Sequence, residues 1–369
     1  MVWLSVLTFL VSMVIGGWVL RGARRRSTAY GQDKPQRLHA GEVPRLGGVG
    51  LLAGLLVGWL VGLVSSQWGG DPSSLRLEPW TLSWCVALLP AVIGGLHEDC
   101  TQRLTVRYRL LLTLLTAALG ITLAGLYVPR VGLPWLDQWM LELPWIGMAL
   151  AALALAGLPH AFNIIDGCNG LAGMVALITA LAIAHVALQL GDRGLATLMV
   201  VMAASSAGFL VWNYPRGLLF AGDGGAYLWG SVIAFGAIAL VQRHPQVSPW
   251  FPVLLLIYPV WETLFSIYRK LARGVSPGVA DALHFHQLVY RRIVRGVVHE
   301  ADARKLLRRN NRTAPYLWGF TLLTVLPALL FWRSTWVLMV FTLLFVITYV
   351  LAYLAMIRFK LPGWLRDDS

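Results

Sequence analysis

Charge is scarce in this sequence. Asp, Glu, Lys and Arg make up only 13% of its 369 residues, where a soluble domain carries about 25%. Too few polar groups remain to cover a water-facing surface, which excludes a soluble enzyme and a disordered chain. Cysteine is nearly absent, and Cys85, Cys100 and Cys168 form no CxxC pair, so a disulfide scaffold and a zinc ribbon are excluded. The phosphate loop GxxxxGK[ST] is missing, as are HExxH and GxSxG. What the chain has instead is apolar length, with 57% hydrophobic residues and a mean hydropathy of +0.67.

A helix that crosses a bilayer needs roughly 20 apolar residues. Stretches free of charge fall at 1–20, 46–70, 79–97, 110–129, 143–165, 167–191, 194–215, 224–242, 244–261, 313–332 and 334–357. These predict an all-α integral membrane protein of about eleven transmembrane helices, in one polytopic domain over 1–369, with a long basic loop at 269–313. Arg21, Arg24, Arg25 and Arg26 follow the first apolar run instead of preceding it, so that run reads as a retained span and not as a cleavable signal.

Of the thirty Lys and Arg residues, twenty-five fall in the odd-numbered connections and the C-terminal tail. The positive-inside rule therefore places the N-terminus outside and the C-terminus in the cytoplasm. This topology also accounts for the net charge of +13, so nucleic acid is not expected as a partner and membrane lipids are.

The polar clusters gather on that same cytoplasmic face. Loop 1–2 carries Lys34, Arg37 and Arg45, followed by Gly47 and Gly48. Loop 3–4 opens with Gly94-Gly95-Leu96-His97-Glu98-Asp99. Loop 5–6 reads Asn163-Ile164-Ile165-Asp166-Gly167-Cys168-Asn169-Gly170, and loop 7–8 reads Gly222-Asp223-Gly224-Gly225. Loop 9–10 contains His284, His286, Gln287, Arg291 and Arg292. An unpaired charge costs at least about 2.5 kcal/mol at a bilayer's centre and less near its edge. Helix capping is one reading of Asp166 and Asp223, and headgroup contact is one reading of Arg291 and Arg292. Four carboxylates on one face beside Gly-rich turns favour another: a hard divalent cation held by one or two of them together with substrate phosphates. The basic residues would grip the remaining phosphate oxygens. His284 and His286 are two apart and would face opposite sides of a helix, so both reach one ligand only from a turn or an extended segment.

At these loops the sequence resembles the polyprenyl-phosphate N-acetylhexosamine-1-phosphate transferases, from about Asp33 to Gln287. The family's paired acids fall on Glu98 and Asp99. Its Asn-x-x-Asp-Gly-x-Asp-Gly falls on Asn163 to Gly170, its Gly-Asp-x-Gly on Gly222 to Gly225, and its His-x-His-His on His284, His286 and Gln287. Glu98 replaces an Asp, Asn169 replaces an Asp, Gln287 replaces a His, and an acid near the end of span 9 is Glu262. These departures resemble the O-antigen and common-antigen initiating enzymes more than the peptidoglycan enzyme.

The resemblance implies transfer of sugar-1-phosphate from a UDP-N-acetylhexosamine to undecaprenyl phosphate, releasing UMP, in a bacterial inner membrane with the active site facing the cytoplasm. It implies Mg²⁺, or Mn²⁺ in its place, on Asp223 and Asp99. Glu98, Asp99 and Asp166 would be catalytic, and Lys34, Arg37, Arg45, Asn163, Asn169, His284, His286 and Arg291 would bind substrate. A transporter and a catalytically degenerate relative are the competing readings, and the sequence leaves open whether the chain is a homodimer.

Overall fold

The computed structural model describes residues 1–23, 43–68, 77–78, 80–276, 278, 281, 283–294 and 303–358. Among the described residues there are fourteen helices and no strand: α1 (Val2–Ala23), α2 (Gly47–Trp68), α3 (Thr81–Thr101), α4 (Val106–Thr122), α5 (Pro134–Glu142), α6 (Trp145–Ile165), α7 (Leu171–Gln189), α8 (Arg193–Asn213), α9 (Gly222–Arg243), α10 (Trp250–Leu255), α11 (Ile257–Leu271), α12 (Phe285–Arg292), α13 (Ala303–Leu330) and α14 (Thr335–Ile357).

Nine of these helices are long and apolar enough to cross a membrane. The other two expected spans take different forms. One is α4, with only 17 residues. The other is broken into α10 and α11 at Leu256. Pro259 explains the break, because it has no N–H to close onto Leu255, so the helix ends and restarts. The restarted helix then runs past the expected boundary to Leu271. The expected loop at 269–313 holds α12 and the first turns of α13.

The helices pack as membrane helices do. Along α1, Leu4, Thr8, Ser12 and Gly16 are buried, whereas Val6, Leu10, Val14 and Trp18 are exposed. A water-soluble helix would reverse that pattern. In lipid, small and hydroxyl side chains bring helices together and apolar ones face out. Ser12 Oγ donates to the Ser205 carbonyl at 2.8 Å, and Ser205 Oγ donates to the Leu51 carbonyl at 2.7 Å, which ties α1, α8 and α2 together.

At the centre stands α9, buried from Gly222 to Val241 and packed against α2, α3, α6, α7 and α8. Arg130 closes the C-terminal end of α9 by donating to the carbonyls of Val241, His244, Pro245 and Val247. A cation there satisfies orphan carbonyls at the negative end of the helix dipole. Between α4 and α6, the short α5 displays exposed Trp135 and Trp139, the amphipathic rings that favour a membrane–water boundary.

Candidate active site

The N-terminal end of α9 meets the ends of α2 and α3 at backbone distance. A Cβ on Gly48 would lie 2.6 Å from Gly225 N, and one on Gly95 would lie 2.6 Å from Gly224 Cα. The Gly-Gly pairs of loops 1–2 and 3–4 are therefore contact points between helices. Gly47 N–H donates to the Phe220 carbonyl at 2.8 Å and Gly48 N–H to the Ala221 carbonyl at 3.0 Å, which fixes the chain before α2 against the turn into α9.

This close approach places the predicted acids around one point. The Asp99 oxygens accept from the N–H groups of Asp223 and Gly224, both at 2.8 Å. They cap α9 from another helix, where the macrodipole favours negative charge. Asp223 itself sits inside the first turn of α9 and is buried. Its carboxylate accepts from Arg45 Nη2 at 3.3 Å, Arg109 Nη1 at 2.8 Å and the Tyr227 hydroxyl at 3.3 Å. The Asn163 side chain lies beside Tyr227.

Asp166 follows the last residue of α6 and feels the charges of Arg45 and Asp223. Among the described residues, no side chain hydrogen-bonds its carboxylate. Burial, reinforced by Asp223 and opposed by Arg45, pushes its pKa up to about 7. Neither Asp166 nor Asp223 acts as the cap of its own following helix, since the caps of α7 and α9 are Gly170 and Ala221. Glu98 points the other way from Asp99. It accepts from Leu104 N–H at 2.8 Å, holding the turn from α3 into α4.

The histidines form a neighbouring group. His284 is the extended residue just before α12, so the helical i, i+2 geometry does not apply, and its ring stacks on that of His286 with centroids 5.6 Å apart. A Cβ on Gly167 would strike His286 Nε2, so the His286 ring lies directly against the Asp166–Gly167 turn. Burial, followed by the charges of His284 and Arg291, pushes the His286 pKa down to about 3. Gln287, at the place of the third His, accepts from His284 N–H at 3.3 Å and completes a capping box.

Asn169 is engaged elsewhere. Its N–H donates to Asn310 Oδ1 at 2.8 Å and its amide to Asn311 Oδ1 at 3.0 Å, joining loop 5–6 to α13. Lys34 and Arg37 lie outside the described residues.

Three groups at the site escape a reading of motifs. Arg109 looks like a topological arginine in the sequence, yet it makes the shorter ion pair to Asp223, and among the described residues its buried Nε has no acceptor. Tyr227, one helical turn after Asp223, has only its i, i+4 spacing as a signal. His160, in α6, lies 3.0 Å from Thr113 Oγ1 and edge-on to Tyr227. Among the described residues, no three His, Cys, Asp or Glu side chains are disposed to hold an ion by themselves. The donor set fits a hard cation bound by one or two carboxylates plus substrate oxygens. Asp166, whose carboxylate no side chain hydrogen-bonds among the described residues, would be the second carboxylate beside Asp223 for such an ion.

Comparison with known proteins identifies the family. The glycosyl transferase family 4 model matches residues 81–241, a range that contains Asp99, Asp166 and Asp223. A probable undecaprenyl-phosphate N-acetylglucosaminyl 1-phosphate transferase of Bacillus subtilis is 27% identical across 70% of this chain and 68% of its own length. An undecaprenyl-phosphate alpha-N-acetylglucosaminyl 1-phosphate transferase of Escherichia coli K12 is 27% identical over 70% and 69%. A phospho-N-acetylmuramoyl-pentapeptide-transferase of Moorella thermoacetica is 33% identical over 72% of this chain and 82% of its own. With that identity over four-fifths of a relative, and with the matched range centred on the Asp99–Asp223 cluster, the chain belongs to glycosyl transferase family 4.

Proposed function

We propose that this protein transfers N-acetylhexosamine 1-phosphate from a UDP-sugar to undecaprenyl phosphate, leaving undecaprenyl-diphosphate-sugar and UMP. The observation that carries the reading is Asp223, buried at the N-terminal end of α9 between Arg45 and Arg109 with Asp99 capping the helix beneath it. Relatives named for sugar-1-phosphate transfer to undecaprenyl phosphate support it over transport. Acids at helix ends, instead of at the middle of broken helices, support it too.

In this reading an oxygen of the lipid phosphate attacks the sugar-linked phosphorus, the bond to the bridging oxygen breaks, and UMP departs. Arg45 and Arg109 bind phosphate oxygens in exchange for Asp223, and the unsatisfied Arg109 Nε gains an acceptor. Asp99 keeps the end of α9 in place and orients the lipid phosphate, whose second pKa near 6 leaves little need for base catalysis, while Glu98 holds the turn from α3 into α4. Asp166 sits between this cluster and the histidines, so the nucleotide diphosphate spans from Arg45 to His284, His286 and Arg291. Mg²⁺, held by Asp223 with Asp99 or Asp166, would supply charge neutralisation at the diphosphate. The site faces the cytoplasm of a bacterial inner membrane, where the positive-inside rule puts these loops. Departures at 98, 169 and 287 favour a surface-polysaccharide initiator over the peptidoglycan enzyme.

The test is UMP release by purified protein given undecaprenyl phosphate, Mg²⁺ and a panel of UDP-N-acetylhexosamines. Release that needs both lipid and metal and disappears in Asp223→Asn supports the reading. Folded protein that releases no UMP from any of these donors sinks it.

A further inference from the structure

The helix that carries His286 and Arg291 is held at both ends by residues outside the matched family range. At its start, fully buried Glu262 of α11 accepts from His284 Nδ1 at 2.9 Å and from Phe285 N–H at 3.2 Å. A third donor reaches the same carboxylate from the last spanning helix, where the Tyr349 hydroxyl donates to Glu262 Oε2 at 2.7 Å. At the other end, Arg309 Nε of α13 donates to the carbonyls of Tyr290 and Val294 at 2.9 and 2.8 Å, with its guanidinium 4.3 Å over the Tyr290 ring. An anion at the start and a cation at the end match the dipole of α12 and satisfy its orphan groups. Eight residues alone would not hold a helix in water, so α11, α13 and α14 impose its position.

We infer that Glu262 and Tyr349 are positioning residues for His284. An ionised carboxylate only accepts, so the nitrogen of His284 that faces Glu262, Nδ1, carries a proton. Tyr349 occupies the second carboxylate oxygen and prevents Glu262 from rotating away. The ring of His284 then fixes the stacked ring of His286, which lies against Gly167, so the distance from the histidines to Asp166 is set by the C-terminal helices. The inference rests on the proposed transfer, with His284 touching the nucleotide diphosphate.

The test compares Glu262→Gln and Tyr349→Phe with wild-type protein. Tyr349→Phe keeps the ring that packs on Phe285 and Phe265 and removes only the hydroxyl. Loss of a hydrogen bond to a charged group predicts that KM for the UDP-sugar rises about tenfold in Glu262→Gln and about threefold in Tyr349→Phe, while KM for the lipid holds within about twofold. In ¹⁵N-histidine spectra, wild-type His284, assigned by its loss in His284→Asn, should show a protonated, hydrogen-bonded Nδ1, and both variants should shift that signal. An unchanged donor KM with an unchanged His284 signal overturns the inference, as does an equal rise in both KM values. If Glu262→Gln does not fold, Tyr349→Phe decides alone. If wild-type protein transfers no sugar phosphate, the proposed function fails, and the His284 Nδ1 signal still decides the positioning geometry.

Discussion

Asp99 caps the helix that carries Asp223, with one carboxylate oxygen on each of the two backbone N–H groups of Asp223 and Gly224. The two acids are thus coupled through backbone as well as through charge. Asn at 99 keeps the shape but points an NH₂ donor at one of those N–H groups. Hydrogen bonds to charged groups are worth about 1.5–3 kcal/mol each, so Asp99→Asn should lower kcat/KM by roughly 100-fold and lower Tm as well. Steady-state UMP release and thermal unfolding on one preparation check this. A variant with wild-type values in both would show that the cap does not hold the site.

The two arginines on Asp223 should not be equivalent. Arg109 makes the shorter contact, 2.8 against 3.3 Å, and carries a buried nitrogen that has no acceptor among the described residues. Removing one member of a buried charge pair costs about 2–5 kcal/mol, so Arg109→Ala should be the more damaging change in both activity and Tm. Kinetics at varied lipid phosphate and varied UDP-sugar, with each variant, measure the difference. Greater loss in Arg45→Ala would reverse the assignment.

Much of this arrangement is legible in the sequence. Gly-rich turns next to Asp99, Asp166 and Asp223 mark the face and the acids, because uncompensated carboxylates beside apolar helix demand a partner. Arg109 is invisible by the same logic: in a count of cytoplasmic cations it looks like any topological arginine. Only the packing of α4 against α3 and α6 turns it inward. The break at Leu256 is foreshadowed by Pro259, but a window that looks only for charge-free length passes over it. Glu262 reads as a stray acid near a span end. Its role appears only once the fold brings His284 and Tyr349, 22 and 87 residues away, to its two oxygens.

Metal removal should be decisive for the cation. Chelation with EDTA should abolish UMP release, and added Mg²⁺ or Mn²⁺ should restore it. Because a ligand stabilises the fold that binds it, Mg²⁺ with UDP-sugar should raise the wild-type Tm and leave that of Asp223→Asn unchanged. Full activity in EDTA would remove the metal from the mechanism.

Asp166 should leave a pH signature in the substrate-free protein. Its pKa rises from 3.8 to about 7 on folding, through burial and then the Asp223 charge. An acid with a raised folded pKa favours the fold while protonated. That contribution is complete below the unfolded value near 3.8 and is lost as pH climbs through 7. Asp166→Asn keeps the neutral form at every pH. Its Tm should therefore exceed that of wild type at pH 8 in EDTA and converge with it near pH 4, even though transfer is lost. A Tm difference that does not change with pH would refute the assignment.

Gly95 tests whether helix contact, and not turn flexibility, explains the glycine pair at the end of α3. An added Cβ would meet Gly224 Cα and N at 2.6 Å and Asp223 C at 2.7 Å, all of them backbone atoms that cannot rotate aside. Overpacking typically costs about 1–3 kcal/mol, and here the displaced atoms belong to the turn that carries Asp223. Gly95→Ala should lower Tm and cut UMP release by an order of magnitude or more. Gly157 is the control, since a Cβ there meets nothing within 4 Å. Alanine favours a helix interior by about 1 kcal/mol over glycine, so Gly157→Ala should be neutral or stabilising. If both substitutions behave alike, the close approach of α3 to α9 is not what holds Asp223 in place.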